Sequence, residues 1–157
     1  MTQRPESVLA IDTGMATGWA FHDRAGMVTG TKVFPPGAAL GATLGRFHIW
    51  VADAIDEMRP EVVVYEDPTT FGHGVKLRFG MAAGVELVAF RLERLCLSIA
   101  IKRIKKFATG NGNAAKADMI DAARAMGWRI ATDHEADAAW MAHYAIQNIN
   151  VQRGEAA

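Results

Sequence analysis

The sequence predicts an α/β domain built on a five-stranded mixed sheet, with its first three strands antiparallel and with helices on both faces. Three short apolar segments separated by turns open the chain, and segments with helical and strand-like patterns alternate after them. Strands joined by tight turns pair antiparallel, whereas strands joined through a helix pair parallel, so the combination produces a mixed sheet. The 157 residues, half of them hydrophobic, suffice for one buried core, and we expect a single domain over residues 1–157.

The opening strands are predicted from apolar runs that are bounded by turn residues. Residues 8–11 form a continuous apolar run, which is typical of a buried strand. A glycine-containing turn leads into a second strand at residues 18–21, and the Asp-Arg-Ala-Gly turn at residues 23–26 leads into a third strand at residues 27–34. The Pro-Pro-Gly sequence at residues 35–37 ends this antiparallel meander.

The rest of the chain alternates between helical and strand patterns. Apolar residues recur at helical spacing up to Pro60, and the run that follows is apolar enough for a central strand. A basic segment, residues 102–106, leaves the fifth strand, and a polar loop at residues 109–113 leads into the next helix. We expect residues 150–157 to form a frayed tail. The predicted helices cover residues 39–58, 77–95, 114–126 and 134–149, and the predicted strands between them cover residues 61–65 and 97–101.

The formal net charge of zero conceals three regions of alternating sign. Residues 1–69 carry five basic and nine acidic side chains, and residues 70–117 carry nine basic and two acidic side chains. Residues 118–157 carry three basic and six acidic side chains. A basic middle between acidic flanks suits an acidic metal site beside a surface that binds a polyanion. A solvated helix face is the simpler explanation of such a charge cluster when it is considered alone.

The composition also indicates the compartment in which the protein works. Cys96 is the only cysteine and cannot form an intrachain disulfide, which fits a reducing cytoplasm. The first residues lack the apolar stretch of a signal peptide, and no segment of the sequence approaches the roughly 20 apolar residues of a membrane span. We therefore expect a cytoplasmic protein that does not interact with a membrane.

Four polar residues in apolar surroundings define the candidate site, and they are Asp12, Glu66, His134 and Asp137. Asp12 and Glu66 each end a predicted buried strand, whereas His134 and Asp137 lie three residues apart at the start of the last helix and share one of its faces. Crowded carboxylates repel one another unless a cation lies between them, and Mg²⁺ with oxygen ligands is the usual solution. The pattern indicates metal-assisted chemistry on a phosphate ester.

Structural explanations for these residues are also open. Asp12 could bond its own backbone in the glycine turn, and the histidine and aspartate of the last helix could serve only its first turn, where the helix dipole favours negative charge. Glu66 closes a strand so apolar that its carboxylate needs a partner, a metal or exposure at the sheet edge. Nearby, we expect Asp133 to be the N-cap of the last helix and Glu135 to point away from the shared face.

Four short motifs carry a resemblance to a known family. They are Leu-Ala-Ile-Asp-Thr-Gly at residues 9–14 with Thr-Gly-Trp-Ala at residues 17–20, Val-Val-Tyr-Glu at residues 63–66, the basic segment at residues 104–116, and His-Glu-Ala-Asp-Ala at residues 134–138. In this order and at this spacing, nearly the whole chain resembles the RuvC-type Holliday-junction resolvases of the ribonuclease-H-like superfamily. The resemblance implies that the mixed sheet belongs to a ribonuclease-H-like fold.

The resemblance also implies an activity and assigns residues to it. It implies a homodimeric, structure-selective endodeoxyribonuclease that cuts four-way junctions or other branched DNA in recombination, repair or phage DNA processing. It implies two Mg²⁺ ions per active site, with Mn²⁺ as a substitute. The implied metal ligands are Asp12, Glu66, His134 and Asp137, and Lys116 joins them in the implied catalytic set. The implied DNA-binding residues are Phe71, Lys76, Arg78, Lys102, Lys105, Lys106 and Lys116.

Several of these roles have alternatives. Either Lys105 or Lys116 could stabilise charge or help to deprotonate the attacking water, and His134 could ligate metal or carry a proton. Phe71 is the candidate for the aromatic residue that enters the junction in this family, although a loop residue folded back on the core explains it equally well. The long helix that follows forms the dimer face in the family. Its small residues suit either close approach of a second helix or intrachain packing, and they are Gly80, Ala82, Ala83 and Gly84.

The sequence departs from the family pattern in the loop at residues 67–74, which leaves the preferred cleavage sequence open. Compact, divergent resolvases of phages and prophages often accept many branched DNAs, and we expect this chain to resemble them. Three other classes stay open: a non-catalytic junction-binding protein on the same fold, another ribonuclease-H-like nuclease, and a nucleotide-binding protein of the actin/Hsp70 type. The chain is short for the paired domains of the last class, and the basic segment favours a resolvase.

Overall fold

The computed structural model describes residues 1–152 and contains seven strands and five helices within that range. In chain order the strands are β1 (Thr2–Gln3), β2 (Val8–Asp12), β3 (Ala16–Asp23), β4 (Gly26–Val33), β5 (Val62–Glu66), β6 (Leu95–Ile99) and β7 (Val151–Gln152). The helices are α1 (Leu40–Met58), α2 (Val75–Arg91), α3 (Ile101–Thr109), α4 (Lys116–Ala125) and α5 (Asp133–Asn148).

The main sheet has the strand order β4-β3-β2-β5-β6. Strand β3 pairs antiparallel with both β2 and β4, whereas β5 pairs parallel with both β2 and β6. Tight turns join the antiparallel strands, and helices α1 and α2 make the crossovers that parallel pairing requires. The predicted five-stranded mixed sheet, with its first three strands antiparallel, is therefore confirmed.

Alternation of side chains along the buried strands divides the core between the two faces of the sheet. In β2, Val8 and Ala10 pack with residues of α3, α4 and α5, whereas Leu9 and Ile11 pack with residues of α1 and α2. The same alternation holds in β5, where Val64 faces the first group of helices. Because successive strand residues point to opposite faces, a continuous apolar run supplies both cores at once. Helices thus cover both faces, as predicted.

The basic segment after β6 forms a helix that was not predicted, since residues 102–106 were described only as a basic segment that leaves the fifth strand. Helix α3 begins at Ile101, a residue that the sequence analysis placed in the fifth strand. Ile104 is fully buried, and Ile101 and Ala108 pack against the same core, so the apolar residues recur at helical spacing. The four charged residues between them mask this short pattern in the sequence.

The fifth strand also starts earlier than predicted. Helix α2 ends at Arg91, and Glu93 adopts a left-handed backbone conformation with φ 56°, which turns the chain towards β6. Strand β6 therefore begins at Leu95, which pairs with Val62. The predicted continuation of α2 to residue 95 is wrong because the apolar residues there belong to the strand.

The chain ends of the described region meet in a small second sheet that the sequence did not predict. Strand β7 pairs antiparallel with β1, so that Thr2 lies opposite Gln152 and Gln3 lies opposite Val151. Val151 is buried against the core, which contradicts the predicted fraying at this point. The rest of the predicted tail, residues 153–157, lies outside the described residues. In the part of the chain that the structure describes, no helix combines the length and apolar character that a bilayer span requires.

Candidate active site

Asp12 and Glu66 lie side by side at the carboxyl ends of two adjacent parallel strands. The register pairs Ile11 of β2 with Tyr65 of β5, and each carboxylate is the next residue of its strand. Both carboxylates have the same alternation as Ala10 and Val64, which face α5. The strand register therefore directs both acidic groups to the face of the sheet that α5 covers.

Helix α5 begins immediately above this edge of the sheet. The hydroxyl of Thr132 caps the helix by accepting the N–H of Glu135 at 3.1 Å. The predicted N-cap, Asp133, is instead the first residue of the helix, so that prediction is wrong by one position. Threonine and aspartate both have good capping oxygens, so the local sequence could not choose between them.

A glycine on β3 allows the start of α5 to approach the sheet closely. A Cβ atom on Gly18 would overlap the carbonyl group of His134. Gly18 pairs with Asp12 in the antiparallel register, so the missing side chain lies beside the candidate site. The close approach places Nδ1 of His134 2.8 Å from Oδ2 of Asp12, and this hydrogen bond raises the pKa of His134. Gly18 lies in the Thr-Gly-Trp-Ala motif at residues 17–20, but no role was predicted for it.

A buried network fixes the same helix end to β4. The Glu135 carboxylate accepts hydrogen bonds from the hydroxyls of Thr29 at 3.2 Å and Thr31 at 3.0 Å, and from the backbone N–H of Ala131 at 2.9 Å. Thr31 also shares a hydrogen bond of 3.0 Å with the capping Thr132. Glu135 points away from the candidate site, as predicted, and its buried charge is satisfied by hydroxyl and amide donors.

Crowding among the carboxylates changes their protonation. Burial raises the pKa of Glu66 to about 8, with further contributions from the charge of Asp12, a hydrogen bond to Asp12 and the charge of Asp137, while Lys105 opposes the shift. Burial and the charge of Asp12 raise the pKa of Asp137 to about 7, again against Lys105. These shifts show that the acidic groups share one electrostatic environment with too little positive charge to keep all of them ionised.

The donor set of this cluster suits a hard divalent cation. Three carboxylates and one imidazole supply the oxygen-rich ligands that Mg²⁺ and Mn²⁺ prefer, and the mutual repulsion of the carboxylates is what such a cation would neutralise. Within residues 1–152, however, no three His, Cys, Asp or Glu side chains are arranged as a ready metal site. Asp12 is bonded to His134 instead, so binding of a cation requires side-chain adjustment.

Two lysines lie near the acidic cluster. Nζ of Lys116, at the start of α4, lies 2.8 Å from Oδ2 of Asp133, and this pairing raises the pKa of Lys116 and lowers that of Asp133. The charges of Asp137 and Asp12 also act on Lys116. The charge of Lys105 of α3 acts on Glu66 and Asp137. The pairing of Lys116 with Asp133 was not predicted.

The basic face of α3 lies next to the same edge of the sheet. The N–H of Asp67, which follows Glu66, donates to the carbonyl of Ile99 at 3.0 Å, and α3 starts two residues after Ile99. Lys102 and Lys106 are exposed, one helical turn apart. Because the apolar face of α3 is buried, these lysines point outwards near the carboxylates. Their role in DNA binding stays a prediction.

The loop between β5 and α2 presents an aromatic side chain to solvent. Phe71 is 84% exposed, so it does not fold back on the core, which was the alternative left open by the sequence. Lys76, in the first turn of α2, is also exposed. Arg78 differs from both, because its guanidinium donates to the backbone carbonyls of Thr69, Phe71 and His73 in the loop. The predicted DNA-binding role of these three residues stays a prediction.

The small residues of α2 serve packing within the chain. A Cβ atom on Gly80 would meet the Leu44 side chain, and one on Gly84 would meet the His48 ring, so these glycines admit side chains of α1. Of the predicted dimer-contact residues, Gly80, Ala82 and Gly84 face inwards and only Ala83 is exposed. The exposed side of α2 carries a different, apolar stripe, which consists of Phe79, Ala83, Leu87 and Phe90.

The fold that carries this cluster is also found in solved structures. No family model matches the sequence, and no curated protein matches it. The structure of RuvC from Thermus thermophilus superposes with a TM-score of 0.73 at 21% identity, covering 92% of this chain and 98% of RuvC. RuvC from T. thermophilus in complex with Holliday junction substrate gives a TM-score of 0.73 at 22% identity, covering 87% and 90%.

A third structure is more distant in sequence but shares the architecture. The yeast mitochondrial Holliday junction resolvase Ydc2 superposes with a TM-score of 0.64 at 14% identity, covering 92% of this chain and 79% of Ydc2. The three similarities establish that this chain has the ribonuclease-H-like fold of the RuvC structures, as the sequence motifs implied. At these identities the comparison establishes the fold alone.

Proposed function

We propose that this protein is a metal-dependent endodeoxyribonuclease that resolves Holliday junctions and other branched DNA. The observation that carries the proposal is the cluster of Asp12, Glu66, His134 and Asp137 at one edge of the sheet, where burial and mutual repulsion raise the pKa values of Glu66 and Asp137. The fold is that of RuvC from T. thermophilus, which has been described in complex with Holliday junction substrate. The fold and the acidic cluster together support this function better than either does alone.

The residues of the cluster divide the work of phosphodiester hydrolysis. Two divalent ions, held by the carboxylates with His134 beside them, would activate a water molecule and neutralise charge on the leaving oxygen. Asp12 orients the imidazole of His134 through their 2.8 Å hydrogen bond. Lys105 and Lys116 place positive charge near the carboxylates, where it stabilises the negative charge that develops on the phosphate during attack.

The surface around the cluster fits a branched polyanion. Lys76 on α2 and Lys102 and Lys106 on α3 are exposed. Helix α2 follows β5, which ends in Glu66, and α3 follows β6, the parallel neighbour of β5. Such lysines contact phosphates without reading sequence, and their contribution weakens with added salt. Phe71 extends from the neighbouring loop, where an aromatic ring can stack on an unpaired base at a branch point.

We also propose that the working form is a homodimer. The apolar stripe of α2 (Phe79, Ala83, Leu87 and Phe90) is exposed, and Phe90 is 80% accessible to solvent. A second copy of this chain, paired through the same stripe by two-fold symmetry, would bury these side chains and supply a second active site. Two sites are required to cut two strands of one junction in a single encounter.

The first test compares the parent protein with Asp12→Asn on a labelled synthetic four-way junction. In Mg²⁺, the parent should make paired, symmetric nicks in the junction and leave a matched linear duplex intact, and EDTA should abolish the nicks. Asp12→Asn removes a charge from the cluster but leaves the basic surface unchanged. We expect it to lower turnover by more than about 100-fold, beyond the loss typical of residues that only support a metal ligand. Junction affinity should stay near the parent value.

Other outcomes would assign the protein to a different class. Tight junction binding by the parent without cleavage in Mg²⁺ or Mn²⁺ would indicate a non-catalytic junction-binding protein. Preferential cleavage of an RNA–DNA hybrid would indicate another ribonuclease-H-like nuclease. Cleavage by Asp12→Asn at the parent rate would refute the proposed role of the acidic cluster.

A further inference from the structure

One arginine organises the loop that carries Phe71. The Arg78 guanidinium donates through Nη2 to the carbonyl of Phe71 at 2.6 Å and to that of Thr69 at 3.4 Å, and through Nη1 to the carbonyl of His73. The three acceptors belong to alternate residues of the loop between β5 and α2, and Arg78 lies in the first turn of α2. A single side chain therefore connects the loop to the helix at three points.

The backbone of this loop is shaped for that contact. Gly72 and Gly74 have φ values of 85° and 74°, in the left-handed region that favours glycine. These bends direct the carbonyls of alternate residues towards one point, which the guanidinium of Arg78 occupies. The side chain of Phe71 is correspondingly left on the outside, 84% exposed.

Arginine has the geometry that this contact requires. Its planar guanidinium offers five N–H donors in a fixed fork, so it can satisfy several carbonyls at the same time. Lysine offers a single ammonium point, and glutamine has one amide group with two donors. A guanidinium that is engaged by three backbone carbonyls is also poorly placed to contact a DNA phosphate directly, although Arg78 was predicted to be a DNA-binding residue.

We propose that Arg78 is a positioning residue that holds the loop so that Phe71 is presented to the branch point of the DNA in one conformation. The proposal rests on the function proposed above, because it takes branched DNA as the substrate. It assigns different roles to two neighbouring cations. Lys76 contacts DNA phosphate, whereas Arg78 acts through Phe71.

The first experiment measures the loop without DNA. Amide hydrogen exchange of the free protein should increase over residues 69–75 in Arg78→Ala, and it should also increase in Arg78→Lys, which keeps the charge but loses the fork. Arg91→Ala is the matched control, because it removes a positive charge from the last turn of the same helix, far along α2 from the loop. Parent-like exchange over residues 69–75 in both Arg78 variants, with the fold intact by circular dichroism, would overturn the proposal.

The second experiment is a double-mutant cycle with Phe71→Ala on a four-way junction that carries 2-aminopurine at the branch point. In the parent background, Arg78→Ala should reduce the change in 2-aminopurine fluorescence that accompanies junction binding. It should also lower kcat by about tenfold and leave KM nearly unchanged. A tenfold loss lies within the coupling energy expected for residues in contact. In the Phe71→Ala background, Arg78→Ala should cause no further loss. Lys76→Ala should instead weaken binding in both backgrounds and reduce the salt slope by about one.

The outcomes separate this inference from the proposed function. If Arg78→Ala weakens binding in the Phe71→Ala background and reduces the salt slope as Lys76→Ala does, Arg78 is a phosphate contact and the inference is wrong. If the parent neither binds nor cuts junctions, the proposed function fails together with the role assigned to Phe71. The hydrogen-exchange result then still decides whether Arg78 holds the loop.

Discussion

The hydrogen bond between His134 and Asp12 determines how the imidazole can act. When the carboxylate is ionised it can only accept, and the proton of this 2.8 Å bond then lies on Nδ1 of His134. In the neutral ring, Nε2 then carries a free lone pair that can ligate a cation or accept a proton. The same bond raises the pKa of His134, so the charged form of the ring persists to higher pH than in an exposed histidine.

The protonation of Glu66 gives a prediction about stability in the absence of metal. Its pKa is about 8 in the folded protein against an ordinary value of 4.5, so between these values the folded state holds a proton that the unfolded chain has released. The free energy of unfolding should therefore fall as the pH rises through this window. In EDTA, Glu66→Gln should melt at a higher temperature than the parent near about pH 8 and at a similar temperature near about pH 4.5.

Other groups titrate in or near this window, so the difference between parent and variant is the quantity to measure. Asp137 and His134, whose pKa values are also raised, add to the fall in stability, whereas His143, whose pKa burial lowers, opposes it. Subtracting the variant removes the contribution of groups outside the cluster, such as His143, and leaves that of Glu66 together with its coupling to Asp137. Added Mg²⁺ should raise the melting temperature of the parent more than that of the variant. A parent–variant difference that does not change with pH would contradict the assignment.

The ion pair between Lys116 and Asp133 matters for its position more than for its strength. The Lys116 side chain is highly exposed, and exposed ion pairs of this kind contribute little to folding. The pair nevertheless holds a positive charge at the first residue of α5, next to His134, which is hydrogen-bonded to Asp12. It thereby connects the start of α4 to the candidate active site.

At the scale of elements, the contact between β3 and α5 decides whether the site assembles. Gly18→Ala adds a Cβ atom where the His134 carbonyl lies, so the helix end must move away from the strand. We expect destabilisation of about 1–3 kcal/mol, which is typical of overpacking, and a loss of turnover larger than that of stability alone. Thermal unfolding and junction cleavage, measured on the same preparation, check this prediction.

The matched control is a glycine that has space around it. Gly45 lies on the exposed side of α1, and a Cβ atom there would meet nothing within 4 Å. Gly45→Ala should stabilise the protein by about 0.5–1 kcal/mol through helix propensity and leave cleavage unchanged. Parent-like activity in Gly18→Ala would show that the close approach of α5 to β3 is not required by the site.

Helix α3 shows why an element can carry the right chemistry and still be assigned to the wrong structure. Its basic residues were predicted to form part of a polyanion-binding surface beside the site, but no helix was predicted for them. The helix contains nine residues, too few for a clear periodic pattern, and isolated helices of this length are marginal in water. Burial of Ile104 stabilises it, and that contact depends on α4 and α5 packing on the same face of the sheet.

At the scale of the whole molecule, the exposed stripe on α2 predicts how two copies associate. Leu87→Arg places a charge within the stripe, so we expect it to convert a dimer to monomers by analytical ultracentrifugation. Paired nicking of a junction should then be replaced by slow single nicks, because each monomer carries one site. Val28→Arg is the control. Val28 is also apolar and similarly exposed, but it lies on β4, which is an edge strand of the sheet and is separate from α2.

Two results would contradict this dimer. If the parent is a monomer at the concentrations at which it cuts paired strands, the stripe is not the interface that cleavage needs. If Val28→Arg dissociates the protein and Leu87→Arg does not, the second copy binds at the β4 edge of the sheet. Both variants change exposed positions, so both should fold.

Local patterns in the amino-acid sequence were enough to predict the fold class and the four residues of the candidate site. Apolar runs of strand length, tight turns and helical periodicity are local signals, and they sufficed for the mixed sheet. Asp12 and Glu66 could be recognised because a charge at the end of a buried strand conflicts with its surroundings. The ordered motifs then indicated the ribonuclease-H-like fold, which the RuvC structures bear out.

Contacts between segments that are distant in the chain could be assigned only from the folded structure. The approach of α5 to Gly18, the Glu135 network and the pairing of Lys116 with Asp133 have no local signature, because each partner is an ordinary residue in its own segment. Arg78 is the clearest example, since a lysine- and arginine-rich stretch predicts phosphate contacts, whereas the loop carbonyls that it binds become visible only when the chain has folded. Hydrogen-bond partners depend on which residues lie close together in space, and the hydrophobic periodicity of the sequence does not specify that proximity.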